Sequence, residues 1–203
     1  MVGIIKYGVG NIYSVVTSVK YCGRDVVIVE KSEGNISKVK FLILPGVGNF
    51  KSGIDYLKKT GLFEELKEKI EKGVPFLGIC LGLQLLFEWS EEGKEEGFGI
   101  FKGKVVKFKN KGIKVPHMGW NKLKIVRENL IFKNIFDNSY FYFAHSYYPV
   151  PEEDITFGIT EYGNKFSSIV IKNNILGVQF HPEKSGINGL ALLKNILEEK
   201  WWR

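Results

Sequence analysis

Short apolar runs, each followed by a helical pattern, fill the first half of the chain. VGIIKY at 2–7 reads as a strand. A helix follows to about residue 21, with Ile12, Val15, Val16 and Val19 at helical spacing, Asn11 as its candidate cap and Gly23 as its stop. DVVIVE at 25–30 and VKFLILPG at 39–46 read as two more strands, the latter ending at Pro45-Gly46. Leu62, Phe63, Leu66 and Ile70 share one face of a second helix, which leads into the strand VPFLGI at 74–79. From Leu81 to about Trp89 the pattern reads as a helix entered through glycine. Strands alternating with helices predict a mainly parallel sheet with crossover helices, and near-continuous apolar runs fit strands buried on both faces.

The second half differs. GKVVKF, NKLKIV, FYFAHSY, ITFGIT, FSSIVI and ILGVQF are strand-like with little helix between them, which predicts an antiparallel or mixed segment attached to the first. SGINGLALLKNILEEK closes the pattern as a helix with Ser185 as its candidate cap. No repeat, low-complexity tract or linker interrupts the chain. The expected architecture is one α/β domain over residues 1–203: a mixed, mainly parallel central sheet flanked by helices, with an added antiparallel strand segment.

Composition narrows the function classes. The 203 residues are 44% hydrophobic and 25% charged, values expected of a soluble globular protein. The net charge is +7, but both signs are interspersed and no block of like charges stands out, so a solvated lysine-rich surface is expected rather than nucleic-acid binding. The N-terminal stretch lacks the layout of a signal peptide, and FLGICLGLQLLF is too short and glycine-broken to span a bilayer, so no membrane association is expected. Cys22 and Cys80 are the two cysteines, with no CxxC pair and no Cys/His cluster at metal spacing. A reduced, cytoplasmic setting without metal or cofactor is the resulting expectation. YGVGNIY departs from a dinucleotide fingerprint at Tyr13, where a small residue is needed.

Three segments hold side chains able to do chemistry. Cys80 lies in LGICLGLQ, bracketed by Gly78 and Gly82. A strand that turns sharply into a helix around a nucleophile needs small neighbours, and a helix N-terminus favours a thiolate. Alone, this pattern fits a buried structural cysteine equally well. His181 and Glu183 lie in GVQFHPEKS, where an extended backbone would put both on one side as base and orienter, or where a solvated turn would simply follow a strand. LPGVGNF at 44–50 follows a strand, and Gly46 and Gly48 would let its backbone N–H groups approach a ligand as oxyanion donors, although an ordinary strand-to-helix turn accounts for it too. Gln84 stands one helical turn after Cys80 and needs a hydrogen-bond partner, either substrate or core backbone. His117 and His145 lack paired ligand spacing and read as hydrogen-bonded structural residues.

Taken in order, PGVGNF, GICLGLQLLF and GVQFHPEKS resemble the class I (triad) glutamine amidotransferase family, whose fold is flavodoxin-like. Within it, YGVGN, PGVGNF, PHMGWN at 116–121, FAHSYY at 143–148 and HPEKS look most like the glutaminase subunits of imidazole glycerol phosphate synthase, and the likeness spans almost the whole chain. Lys6 departs from the acidic residue expected before YG, outside the triad. The resemblance implies that Cys80 attacks the glutamine side-chain amide, that His181 shuttles the proton, and that Glu183 orients His181. It implies oxyanion donors at Leu81 and in the Gly46–Gly48 segment, with Val47 foremost, and contacts from Gln84, Ser146 and Tyr147 to the amino-acid end of glutamine. It further implies a heterodimer with a (β/α)8-barrel cyclase subunit of histidine biosynthesis that receives the ammonia, with Asn11, Trp120, Tyr142 and Lys184 near that interface. The alternatives are a glutaminase subunit serving pyridoxal phosphate or anthranilate synthesis, and a non-catalytic interaction module of the same fold.

Overall fold

The structure, a computed structural model, describes residues 1–8, 12–32, 36–109, 112–198 and 201. Its first half runs β1 (Val2–Ile5), α1 (Tyr13–Tyr21), β2 (Val26–Val29), β3 (Phe41–Leu44), α2 (Phe50–Lys59), α3 (Leu62–Glu71), β4 (Phe76–Ile79) and α4 (Leu81–Gln84). Then follow β5 (Phe87–Ser90), β6 (Glu95–Glu96), β7 (Phe101–Lys107), β8 (His117–Ile125), β9 (Ser139–His145), β10 (Tyr147–Pro151), β11 (Thr156–Tyr162), β12 (Asn164–Lys172), β13 (Ile175–Val178) and α5 (Gly186–Glu198).

Among the described residues, nine strands form one sheet in the order β2-β1-β3-β4-β13-β12-β11-β8-β9. From β2 to β13 the neighbours are parallel, and from β13 to β9 they are antiparallel. A second sheet, β10-β7-β5-β6, packs beside it. The expected mixed, mainly parallel core with an antiparallel extension is therefore present.

β1, β3, β4 and β13 are buried along their whole length because both faces are covered, whereas β2, at the edge of the sheet, is partly exposed. Alternate side chains divide between two cores, as a period of two requires. Ile4, Ile43, Leu77, Ile79 and Leu176 join Val15 and Val19 of α1 and Leu192, Leu193 and Ile196 of α5 on one face. Ile5, Leu42, Leu44, Phe76 and Ile175 join Ile54 and Leu57 of α2 and Leu62 and Leu66 of α3 on the other. Asn49 starts α2 by accepting a hydrogen bond from the Ser52 N–H at 3.1 Å.

Two local expectations change, and a third falls outside the described residues. The helix drawn from Leu81 to Trp89 is one turn long, because Phe87–Ser90 pairs with β7 instead. Apolar runs of this length do not separate a buried helix from a buried strand, and pairing decided it. Ser185 stands at the start of α5, but its hydroxyl accepts from the Tyr142 N–H and donates to the His181 carbonyl, so it ties β9 to the turn after β13 rather than capping the helix. Asn11, the candidate cap of α1, lies outside the described residues, and α1 is entered at Ile12 without a side-chain cap.

Candidate active site

Cys80, His181 and the Gly46 loop follow the carboxyl ends of β4, β13 and β3, which are adjacent parallel strands. Open α/β sheets bind ligands at that edge. Register fixes the rest: Ile79 pairs with Val178 and Gly78 with Leu44, so three short connections emerge side by side.

The turn at Cys80 is strained. Its backbone sits at φ 52°, ψ −104°, a region that L-residues rarely occupy and that persists only where the surroundings impose it. The Cys80 N–H is held by the Val178 carbonyl at 2.8 Å. A Cβ on Gly78 would lie 2.7 Å from the Gly82 carbonyl oxygen, and one on Gly82 would lie 1.7 Å from the Leu44 carbonyl oxygen. Both glycines are thus required by close backbone approach. Because α4 is a single turn, the macrodipole expected to favour a thiolate has little length over which to build. Charge on the sulfur must be matched by side chains.

His181 supplies that match. Its Nδ1–H donates to Oε1 of Glu183 at 2.8 Å, and both side chains are buried. This fixes the tautomer and leaves Nε2, buried and without a hydrogen-bond partner among the described residues, as the atom that exchanges protons. Burial alone would disfavour the imidazolium, but Cys80 and then Glu183 override it and raise the His181 pKa to about 10. The two residues meet through a 3-10 turn over Pro182–Lys184, not through the extended strand end that their spacing suggested. The His181 backbone is clamped by the Tyr142 carbonyl and the Ser185 hydroxyl.

A cleft of about 180 Å³ opens beside Cys80, lined by Val47, Gly48, Leu81, Gln84, Ser146 and Tyr147 among others. It is smaller than the roughly 300–1,000 Å³ of sites for drug-sized ligands and suits a molecule the size of an amino acid. Gly46 lies just beneath, with the Tyr7 hydroxyl against its Cα: a Cβ there would stand 2.0 Å from that oxygen. The Leu81 N–H donates to the Gly46 carbonyl at 3.2 Å, so this expected oxyanion donor is occupied from within.

The family model for glutamine amidotransferase class-I matches residues 4–199. The chain belongs to the class-I glutamine amidotransferase family. Among curated relatives, this amidotransferase is 52% identical to the imidazole glycerol phosphate synthase subunit HisH of Caldanaerobacter subterraneus, over 98% of each chain. It is 48% identical to the subunit of the same name from Methanocaldococcus jannaschii, over 98% of this chain and 99% of that one. A crystal structure of a glutamine amidotransferase superposes with a TM-score of 0.74 at 20% identity, covering 97% of both chains, and so shares the fold.

Three residues of this amidotransferase site escaped the sequence reading. Glu92 brings a carboxylate to the cleft, where its Oε2 accepts from the Phe50 N–H at 2.8 Å. Nothing in the run EEGKEEG distinguishes it from its acidic neighbours. The Ala144 carbonyl faces the Cys80 sulfur at 3.8 Å. Gln179, wholly buried, donates from Nε2 to the same sulfur at 3.6 Å. His117 and His145 are buried and hydrogen-bonded to each other at 3.0 Å, although His145 also lines the cleft.

Of the four residues expected near a partner, Trp120 is 56% exposed on β8 and packs edge-on against Tyr142 of β9 at 6.1 Å. Lys184 is exposed on the turn that carries Glu183. The Tyr142 carbonyl accepts from the His181 N–H at 2.9 Å, which ties Trp120 and Tyr142 to the turn that carries Glu183 and Lys184; Asn11 lies outside the described residues. Among the described residues no group of side chains could hold a metal ion, and no helix is long and apolar enough to cross a membrane.

Proposed function

We propose that the whole chain forms the glutaminase unit of imidazole glycerol phosphate synthase and hydrolyses glutamine with Cys80, His181 and Glu183 as its triad. The reading is supported most by the buried His181–Glu183 pair beside a cysteine held at positive φ, in a chain whose relatives over nearly full length are named as that subunit.

The chemistry follows from the geometry. The Cys80 thiol proton passes to His181 Nε2, and the sulfur attacks the side-chain amide carbon of glutamine. The C–N bond breaks as the imidazolium returns its proton to the leaving ammonia, leaving a glutamyl thioester. Water attacks next, His181 accepting its proton, and the C–S bond breaks to release glutamate. Gln84 has its amide nitrogen committed to the Tyr147 carbonyl and to Gln179, so its oxygen is the end available to a substrate ammonium. Glu92 is the carboxylate in the cleft that would balance that charge, with Ser146 and Tyr147 closing the other side. The exposed face of Trp120, Tyr142 and Lys184 receives a (β/α)8-barrel cyclase subunit in a cytoplasmic heterodimer, to which ammonia passes.

The test is glutamine hydrolysis by the chain alone and then with that cyclase and its substrate. The parent is expected to gain activity on mixing, and Cys80→Ala to lose hydrolysis while still binding the partner. Hydrolysis retained by Cys80→Ala would sink the proposal.

A further inference from the structure

A single line of hydrogen bonds runs from the β8 strand to the catalytic sulfur, and each donor in it is fixed by the next group. The Asn121 amide is oriented at both ends: its Oδ1 accepts from the Lys122 N–H at 2.8 Å, and its Nδ2 donates to the Glu161 carbonyl at 2.9 Å. That nitrogen also lies 3.2 Å from His117 Nε2, which must therefore accept. His117 Nδ1 then carries the proton and donates to His145 Nε2 at 3.0 Å. His145 Nδ1–H in turn donates to the Tyr147 carbonyl at 2.7 Å. Burial keeps both imidazoles neutral, with pKa values lowered to about 4 for His117 and about 3 for His145, so the tautomers persist at neutral pH.

The line continues past the carbonyl. Gln84 Nε2 donates to Tyr147 O at 2.8 Å and to Gln179 Oε1 at 3.1 Å. The Gln179 amide is thereby turned so that its nitrogen faces Cys80 Sγ. Gln179 is completely buried between Val178 and Phe180, themselves completely buried. A side chain needed only to fill that space would be apolar, since a buried amide costs about 1–3 kcal/mol unless its groups are bonded. Its bonds go to the nucleophile and to a residue of the cleft.

We propose that Gln179 is a further catalytic residue, donating a hydrogen bond to the Cys80 sulfur that stabilises the thiolate, and that the line from Asn121 to Gln84 holds it in that orientation. This rests on the reading of Cys80 as the glutaminase nucleophile. A thiol sulfur is a weak acceptor and a thiolate a strong one, so the bond strengthens as the proton leaves for His181. That difference lowers the barrier to attack, whereas a contact of equal strength before and after would not. The ionisable side chains facing Cys80 are His181 with Glu183 behind it, Tyr7 two residues past the end of β1, and His145 and Glu92 across the cleft; the variants below leave all of them in place.

The experiment uses the full chain with Cys22→Ser, so that Cys80 is the one thiol, and compares Gln179→Met with the parent. Alkylation of Cys80 by iodoacetamide is followed against pH, and kcat and KM for glutamine are measured with the cyclase present. Gln179→Met is expected to raise the pH midpoint of alkylation by about one unit and to lower kcat roughly tenfold, with KM within about threefold. Gln179→Glu keeps the shape and serves if the methionine variant does not fold; its carboxylate is expected to raise the midpoint at least as far. A midpoint and kcat equal to the parent's in the variant that folds would overturn the assignment. Hydrolysis persisting in Cys80→Ala would instead overturn the glutaminase reading, a separate result.

Discussion

The Leu81 N–H points into the strand-to-helix turn and donates to the Gly46 carbonyl at 3.2 Å. The position implied as an oxyanion donor is thus filled by a carbonyl of the loop that was expected to supply the second donor. In this arrangement the negative oxygen of a tetrahedral intermediate would meet the Gly46 carbonyl oxygen rather than an N–H. Removal of one oxyanion donor costs about 10²–10³ in kcat. The chain alone is therefore expected to hydrolyse glutamine at least about 100-fold more slowly than the complex. The difference should lie in kcat and not in KM, because the cleft residues are already in place. Steady-state glutamate release with and without the cyclase measures it, and equal kcat values would contradict it.

The pairing of His181 with Glu183 gives a second prediction. Glu183→Gln keeps the shape but removes the charge that helps hold the imidazolium, and its amide can present N–H where Nδ1–H needs an acceptor. Glutaminase kcat is expected to fall about 10²–10⁴-fold, the range for a misoriented or wrongly protonated base. The pH at which His181 loses its proton, followed by NMR, is expected to drop from about 10. The raised value also fixes a stability window. The folded pKa exceeds the ordinary 6.5, so this residue's contribution is complete below about 6.5 and is lost as pH rises through about 10. Glu183→Gln should flatten that alkaline loss, as thermal denaturation at several pH values would record.

The histidine pair predicts the opposite limb. Burial lowers the folded pKa of His117 to about 4 and of His145 to about 3, from 6.5. Between those values and 6.5 the unfolded chain binds more protons, so stability is present above about 6.5 and is lost as pH falls toward about 4 and then about 3. His145→Gln removes one titrating group while keeping a hydrogen-bonding side chain. Its stability is expected to fall less steeply than the parent's across that range in urea titrations. Parallel slopes would mean that the pair does not carry the acid sensitivity.

Much of this was legible in the residues, for physical reasons that differ by element. The parallel strands were readable because burial on both faces leaves unbroken apolar runs, and β1, β3, β4 and β13 all fall within the predicted segments. The boundary after Gln84 was not, because LLFEW satisfies a helix and a strand equally, and its pairing with β7 is long-range. Cys80 and its glycines were readable as a tight turn, since the need for small neighbours is local. Gln179 and Glu92 were not. Their roles depend on which side chains stand opposite them, and the nearest of these to Gln179, Gln84 and Cys80, are 95 and 99 residues away in sequence.

Tyr7 carries the fourth prediction. Its hydroxyl is buried without a hydrogen-bond partner among the described residues, pressed against Gly46. Burial raises its pKa well above 10, with the Cys80 charge adding to the effect, so it stays neutral. An orphaned buried hydroxyl costs about 1–3 kcal/mol, and phenylalanine removes it without changing the ring. Tyr7→Phe is expected to leave the free chain as stable as the parent or to stabilise it by about 1 kcal/mol. A loss of stability in denaturant titration would mean that the hydroxyl has a partner in solution.

The strain at Cys80 can be measured by releasing it. A non-glycine residue at φ 52°, ψ −104° costs about 1–3 kcal/mol, whereas glycine adopts that conformation freely. Glycine also gains about 0.4–1 kcal/mol of freedom in the unfolded chain, which works against it. The balance favours glycine, so Cys80→Gly is expected to be more stable than Cys80→Ala by up to about 2 kcal/mol, although both lack the sulfur. Comparing the two variants removes the thiol from the difference and leaves mainly the backbone. If Cys80→Gly proved the less stable, the turn would not be strained, and the close packing of Gly82 against the Leu44 carbonyl would have to hold it in a relaxed form. If it proved the more stable, the fold gives up stability at this position to hold a sulfur at the ends of β3, β4 and β13, where His181 and the cleft meet it.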